Sequence, residues 1–105
     1  MFKLTQAAAN QVRYAAEQSG TEGMALRIAA RRQPNSAIEY LMGFDEVKEE
    51  DIRYKSEGVD ILMAPEYAPL LDETILDFVE LDAGGERQFI FLNPKDPQYV
   101  PPNKG

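Results

Sequence analysis

The side chains that could carry chemistry in this chain are carboxylates, hydroxyls, amides, lysines and arginines, because its 105 residues include neither cysteine nor histidine. The absence of cysteine excludes a thiolate nucleophile, a disulfide, and a thiolate ligand for zinc or an iron–sulfur cluster. The absence of histidine removes the side chain that most often titrates near neutral pH and that most often ligates metals. Acid–base catalysis would need a carboxylate or lysine with a shifted pKa, and the sequence contains no catalytic-triad, phosphate-loop or dinucleotide motif.

Two clusters of charged residues are candidate binding sites. Arg27, Arg31 and Arg32 form the main basic cluster, and their forked guanidinium groups could bind an acidic partner or a phosphate. They could equally be solvated strand residues that offset nearby carboxylates. The acidic run 45–51 contains five carboxylates, which could bind a hard cation. It lacks the spacing and the glycine of an EF-hand loop, so a solvated acidic turn is the alternative.

Two further segments suggest contact with a partner protein. Asn35 and Ser36 lie in the segment 33–36, whose composition is typical either of a binding loop or of an ordinary hairpin turn. Tyr99 lies in a proline-containing tail, where its ring could anchor the tail to a surface or to a partner. The predicted partner-binding residues are therefore Arg31, Arg32, Asn35, Ser36 and Tyr99.

The formal net charge of −7 restricts the kinds of partner. An acidic chain is repelled by phosphate backbones and by anionic membrane surfaces. No apolar run exceeds four residues, which is too short to span a bilayer, and residues 1–6 lack the apolar centre of a secretory signal. We therefore expect a cytoplasmic protein that binds other proteins and neither nucleic acid nor membrane.

The elements that would position these residues follow from hydrophobic periodicity. Residues 5–19 carry apolar side chains at spacings of three and four, which predicts a helix with Thr5 as its N-cap and Gly20 as its end. Later segments alternate apolar and polar residues, which is typical of half-buried strands. Predicted strands occupy residues 24–32, 37–44, 52–55, 59–63, 74–81 and 87–92.

The order of these elements indicates an α+β, β-rich fold, in which an N-terminal helix packs on a mostly antiparallel, sandwich-like sheet of about six strands. Turn residues at 33–36 and around Gly58 predict two hairpins, and Pro65 is placed to begin a short helix. Residues 1–94 are predicted to form the domain. The tail 95–105 includes three prolines and is predicted to be extended or disordered.

Five stretches of this sequence form a recognisable series: residues 4–8, 26–40, 44–52, 71–79 and 89–94. The most specific of them is the closing sequence Phe-Ile-Phe-Leu-Asn-Pro. In this order, they resemble the A-type iron–sulfur carrier (HesB-like) family. The resemblance extends over roughly residues 4 to 94 and implies the HesB-like fold.

The departures from the family pattern concern the cluster ligands. Members that carry clusters use three cysteines, one in the loop between the first two long strands and two as a Cys-x-Cys pair in the tail. Here the first position corresponds to Asn35, and the tail around residues 99–102 contains no thiol. An amide is a poor ligand for iron in a sulfur-bridged cluster. The resemblance therefore implies the fold and its docking surfaces, without a cluster or another cofactor.

These observations predict a non-enzymatic HesB-like protein related to iron–sulfur cluster assembly, which acts as an accessory or protein-interaction module. Its partner would be a protein of iron–sulfur or sulfur metabolism, and the chain would be a monomer or a homodimer. The alternative is a protein that binds a divalent metal or a small molecule through oxygen ligands on the same fold. An enzyme is a third hypothesis, which the lack of cysteine and histidine disfavours.

Overall fold

The computed structural model describes residues 1–80 and 84–96. These residues form seven strands, two α-helices and one 3₁₀ turn. The helices are α1 (Gln6–Ser19) and α2 (Ala68–Leu71), and the 3₁₀ turn Pro65–Tyr67 leads directly into α2. The strands are β1 (Lys3–Leu4), β2 (Ala25–Arg32), β3 (Ile38–Asp45), β4 (Ile52–Ser56), β5 (Val59–Met63), β6 (Ile75–Glu80) and β7 (Arg87–Leu92).

The strands form two mixed sheets, one with the order β3-β2-β5-β4 and one with the order β1-β6-β7. The pairs β2–β3, β4–β5 and β6–β7 are antiparallel hairpins. The pairs β1–β6 and β2–β5 are parallel and join segments far apart in the chain. The predicted α+β, β-rich, mostly antiparallel fold is confirmed, with its strands divided between two sheets.

The β2–β3 hairpin is the longest pairing, and its register extends from Ala25 opposite Asp45 to Arg32 opposite Ile38. On β2, Leu26, Ile28 and Ala30 are buried, as the alternating pattern predicts. Arg27, Ala29 and Arg31 face outwards, whereas Arg32 lies opposite Ile38 at the exposed end of the strand, in phase with the inner face. At the other end of the four-stranded sheet, β4 and β5 join through a two-residue turn in which Glu57 and Gly58 both have positive φ.

Helix α1 packs on β1, β5 and β6 through the small side chains of Ala8, Ala9 and Ala16 together with Val12. The core that it covers is apolar and connects both sheets. Its largest fully buried apolar residues are Phe2, Ile28, Ile61, Leu62, Leu71 and Leu76.

The start of α1 is fixed by a relay of two hydrogen bonds. The Thr5 hydroxyl accepts from the backbone N–H of Ala8 at 3.1 Å, as expected of an N-cap, and donates to Asp77 on β6 at 2.7 Å. The Asp77 carboxylate also accepts from the backbone N–H of Phe78 at 2.8 Å. At the other end, Gly20 adopts a left-handed conformation with φ of 71°, which ends the helix. Both predicted helix ends are confirmed.

Strand β1 is absent from the sequence-based prediction, whose first element is the helix over residues 5–19. The strand has only two residues, too few to show an alternating pattern, and it forms through pairing with β6. The backbone N–H of Leu4 also donates to the Ser56 hydroxyl on β4 at 3.0 Å. This short segment thus connects the two sheets.

The structure does not decide the predicted boundary between domain and tail. Most of the predicted tail, residues 97–105, lies outside the described residues. Within residues 1–80 and 84–96, neither helix combines the length and apolar character needed to cross a membrane.

Replacing Thr5 with alanine should remove both hydrogen bonds of the N-terminal relay, because its hydroxyl is acceptor and donor at once. We expect the free energy of unfolding to fall by about 1–2 kcal/mol, measured by urea denaturation. Thr5→Ser keeps the hydroxyl and is the matched control, expected to retain most of that stability. Equal stability of the alanine and serine variants would show that the relay contributes nothing.

Candidate functional site

The side chain of Arg32 stabilises the loop between β2 and β3 through a hydrogen bond. The guanidinium Nη1 donates to the backbone carbonyl of Ser36 at 2.8 Å and to that of Lys95 at 3.5 Å. One cation therefore contacts both the loop 33–36 and the segment that follows β7. The loop 33–36 is the segment that the family resemblance associates with the first cluster ligand. The positions that it associates with the other two, around residues 99–102, lie outside the described residues.

Asn35 and Ser36 are held in a tight turn within this loop. The Asn35 Oδ1 accepts from the backbone N–H of Ala37 at 3.0 Å, which is an Asx-type contact. Ser36 has a φ of 73°, in the left-handed region that few residues other than glycine and asparagine adopt readily. Its backbone N–H donates to the carbonyl of Gln33 at 2.8 Å, and the turn is therefore well ordered internally.

The segment after β7 begins with a buried amide, Asn93, which anchors it to the domain. Its Nδ2 donates to the carbonyl of Leu70 at 2.9 Å, and its Oδ1 accepts from the backbone N–H of Lys95 at 3.0 Å. The Lys95 ammonium donates to the carbonyl of Asp72 at 2.8 Å. Lys95, which the prediction assigns to the tail, thus contacts α2's C-terminal flank through its ammonium and Arg32 at the end of β2 through its carbonyl.

Tyr40 on β3 lies beside the segment after β7, at the same end of the molecule. Its ring stacks on Phe91 with centroids 4.2 Å apart, and its hydroxyl donates to the Asp96 carboxylate at 3.3 Å. Burial raises the pKa of Tyr40 to about 12. The phenol therefore stays protonated at neutral pH and acts as a hydrogen-bond donor to the segment after β7.

We refer to the loop 33–36, Arg31, Arg32 and Lys95 as the loop end of the molecule. Arg31 is 76% exposed and forms an ion pair with Glu39 at 2.7 Å, and Arg32 is also exposed. The structure therefore brings four of the five predicted partner-binding residues, Arg31, Arg32, Asn35 and Ser36, into one region. The fifth, Tyr99, lies outside the described residues.

The opposite end of β2 and β3 contains the acidic run, where Arg27 is paired within the chain. Its Nε donates to Asp45 at 2.7 Å, and its two terminal nitrogens hold Asp51 in a bidentate pair, with Nη1 at 2.7 Å. The ammonium of Lys48 donates to Asp45 at 3.1 Å, and its backbone N–H donates to Asp51 at 2.7 Å. The acidic run is therefore a salt-bridged turn in which both aspartates already have cationic partners.

These contacts stabilise the ionised carboxylates. The backbone N–H of Glu46, followed by Lys48 and Arg27, lowers the pKa of Asp45 to about 2. The guanidinium of Arg27 is the main cause that lowers the pKa of Asp51 to about 2. In turn, hydrogen bonding to Asp51 raises the pKa of Arg27 further above its usual value.

Sequence reasoning did not identify the anchoring roles of Asn93 and Lys95. In the sequence, the Asn-Pro pair stands out only as the close of the Phe-Ile-Phe-Leu-Asn-Pro stretch, because the Leu70 carbonyl that the Asn93 amide contacts is distant in the chain. Sequence reasoning also left open whether Arg27 binds a partner or neighbouring carboxylates. The structure shows the second, since Arg27 contacts Asp45 and Asp51.

The donor set of the loop end does not fit an iron–sulfur cluster. Its uncharged polar side chains are the amides of Gln33 and Asn35 and the hydroxyl of Ser36, and the Asn35 oxygen already accepts a backbone hydrogen bond. Arg32 adds a fixed positive charge beside the loop. Across residues 1–80 and 84–96, no three acidic side chains come close enough to hold a metal ion. Since cysteine and histidine are absent from the whole sequence, this chain offers neither a thiolate nor an imidazole ligand.

Comparison with known sequences finds relatives among iron-binding proteins. The chain is 36% identical to the iron-binding protein IscA of Proteus mirabilis, over 89% of this chain and 85% of the relative. It is 34% identical to an iron-binding protein IscA of Yersinia pestis, over 70% of this chain and 67% of the relative. No protein-family model matches the chain.

Comparison with solved structures also finds IscA, together with SufA. A crystal structure of IscA with a [2Fe-2S] cluster matches with a TM-score of 0.73 and 31% identity, covering 90% of this chain and 86% of that chain. The crystal structure of Escherichia coli SufA, described as involved in the biosynthesis of iron–sulfur clusters, matches with a TM-score of 0.73 and covers 95% of this chain and 86% of that chain. At 24% identity, this second match concerns the fold alone.

The ion pairs of Arg27 with Asp45 and Asp51 predict that the folded chain loses stability in acid. The pKa values of Asp45 and Asp51 lie near 2, below the value of about 3.9 expected when the chain is unfolded. Their contribution is therefore fully present above about pH 4 and is lost as the pH falls towards about 2. Urea unfolding at a series of pH values should show this decrease.

The variant Asp51→Asn should show a smaller decrease over the same pH interval, because one of the two titrating carboxylates is gone. Glu50→Gln is the control, since Glu50 is exposed and forms no ion pair among the described residues. An Asp51→Asn curve parallel to that of the parent chain would contradict the assignment of the acid transition to this cluster.

Proposed function

Because the chain belongs to the A-type iron–sulfur carrier family, we propose that it is a non-enzymatic accessory protein of cluster assembly, which binds protein partners without carrying a cluster. One observation carries the proposal: the family fold is retained, whereas the thiols that would hold a cluster are absent from the sequence. A role that depends on the surface of the fold is compatible with this combination. A role that depends on thiolate ligands is not.

The charge of the loop end favours an acidic partner surface. Arg31 and Arg32 are exposed at one end of β2, whereas the chain as a whole carries a formal charge of −7. A local positive patch on an acidic protein orients an acidic partner towards that patch and gives specificity more than affinity. Guanidinium groups bind carboxylates in forked pairs, so a carboxylate-rich segment of a partner protein is the expected ligand.

The internal bonding of the loop end supports a binding role. The contacts of Arg32, Asn35 and Asn93 hold the loop and the segment after β7 before any partner arrives. A surface that is already ordered loses less conformational entropy on association, which leaves more of the contact energy for affinity. Tyr99 would extend this surface from the tail.

The alternative function, binding of a divalent metal or small molecule through oxygen ligands, has less support. The acidic run that motivated it is internally paired, since Asp45 and Asp51 both bind Arg27. A metal would have to displace that guanidinium. An enzymatic role would need a general acid or base that the sequence does not readily supply. A cytoplasmic location and a monomeric or homodimeric state remain predictions.

Anaerobic incubation with Fe²⁺, sulfide and a cysteine desulfurase should leave the purified chain without a bound cluster, because no thiolate or imidazole is available to ligate iron. The measurement is visible absorption together with iron and sulfide analysis after desalting. The cysteine-containing IscA of Proteus mirabilis, treated identically, would be the positive control. A stoichiometric cluster on this chain would end the proposal.

Neutralising the loop end should weaken partner binding. We expect the double variant Arg31→Gln, Arg32→Gln to recover about tenfold less partner in affinity capture from the native cell, since charge-assisted hydrogen bonds are worth about 1.5 kcal/mol or more. The matched control, Arg53→Gln with Arg87→Gln, removes two exposed arginines outside the loop end. A chain that ends at Asp96 tests Tyr99 separately. Equal losses in the two double variants would show a general charge effect and refute the assigned surface.

A further inference from the structure

A cleft of about 260 Å³ lies between the second half of α1 and the adjoining parts of β2 and β5. Its floor is apolar and includes Val12 and Ala16 of the helix and Leu26 of β2, which are buried. The side chain of Ala16 is a single methyl group, and helix and sheet therefore do not fill the space between them. The cleft is at the end of β2 opposite the loop end.

The rim of the cleft is acidic. It carries Glu17 on α1, Glu22 in the connection to β2, and Asp60 on β5, all exposed. Asp60 accepts from the ammonium of Lys55 at 2.8 Å. In the part of the chain that the structure describes, Glu17 and Glu22 form no ion pair. Two carboxylates at the rim are thus available to a ligand.

The one cation on the rim is committed to contacts within the chain. Arg13 donates through Nη1 to the carbonyl of Glu57 and through Nη2 to the Asn10 side chain, each at 2.9 Å. Its Nη1 lies 3.2 Å from the position that a Cβ on Gly58 would occupy, so the guanidinium covers the β4–β5 turn. These contacts hold the guanidinium of Arg13 beside the β4–β5 turn, at one edge of the cleft.

The chemistry of the cleft excludes several ligand classes. An anion would be repelled by the rim and by the net charge of −7. Within residues 1–80 and 84–96, no three acidic groups are arranged to hold a metal ion. A purely apolar ligand would take water from the rim carboxylates without giving them a partner, which is unfavourable. The remaining class combines an apolar stem with a positive head.

We propose that the cleft binds a lysine side chain presented by a partner protein. The four methylenes of lysine lie along the floor formed by Val12, Ala16 and Leu26, and the ammonium donates to the carboxylates of Glu17 and Glu22. This arrangement matches the amphipathic character of lysine, with a buried stem and a solvated charge. A compact ammonium with three donors suits carboxylates on separate elements, whereas a guanidinium fork suits a single carboxylate. This surface is distinct from the loop end and does not depend on the proposed function.

The test is an NMR titration of the full chain with two matched probes, N-acetyl-lysine N-methylamide and N-acetyl-norleucine N-methylamide. The probes share the apolar stem and differ in the ammonium group. The lysine probe should cause saturable shifts in the amides around Val12, Glu17, Glu22 and Val59. The norleucine probe should bind about fivefold or more weakly, because it lacks the charge that pairs with the rim.

The double variant Glu17→Gln, Glu22→Gln should reduce the affinity for the lysine probe about fivefold while leaving that for norleucine unchanged. Glu49→Gln with Glu50→Gln is the matched control, which removes two exposed charges that do not line the cleft. Ala16→Leu would fill the cleft and should abolish binding of both probes. Its amide spectrum outside the cleft reports whether the fold is intact.

Three outcomes would overturn the proposal. Equal affinity for the two probes would show that the ammonium is not recognised. Equal weakening by the two double variants would show a non-specific effect of net charge. Cadaverine, a free diamine with a similar stem, is the third arm, and binding tenfold tighter than the lysine probe would identify a free diamine as the ligand in place of a protein lysine.

Discussion

The register of the β2–β3 hairpin is the constraint on which the arrangement of charges in this protein depends. The eight-residue pairing from Ala25 opposite Asp45 to Arg32 opposite Ile38 places Leu26, Ile28 and Ala30 in the core. A slip of one residue would turn these side chains to solvent and bury Arg27 and Arg31 in their place, at a large cost in free energy. The burial of the apolar face therefore also fixes which arginines are exposed and which carboxylates they meet.

The same pairing separates two chemically different ends of the molecule. Seven residue steps of about 3.3 Å separate Arg32 from Ala25, so the ends of β2 are about 23 Å apart. At one end, Arg32 joins the loop to the segment after β7. At the other, Arg27 pairs with Asp45 and Asp51, and the cleft beside α1 carries Glu17 and Glu22, which form no ion pair within residues 1–80 and 84–96. The two ends therefore expose charges of opposite sign.

Local signals account for the parts of the fold that could be predicted from sequence. The cap at Thr5, the stop at Gly20 and the turn at Gly58 each depend on residues within a few positions, and all three occur in the structure. The parallel pairings β1–β6 and β2–β5 join distant segments and leave no local pattern. The particular partners of Arg27 and Asn93 could not be predicted from the sequence for the same reason, because a side chain's partner depends on tertiary structure. Of the candidate site, the residue types were predictable and their pairing was not.

The loop that the family resemblance associates with a cluster ligand lies apart from the residues that stabilise the fold. Asn35, the residue at that position, lies in an exposed turn outside the apolar core. The core is instead built from aliphatic and aromatic residues of α1 and both sheets. Replacing a thiol in such a loop removes no core contact and leaves no buried group unsatisfied, since the Asn35 side chain bonds to the backbone of its own turn. The residues that stabilise the fold are thus separate from the loop 33–36, and a change of side chain at position 35 requires no change in the core.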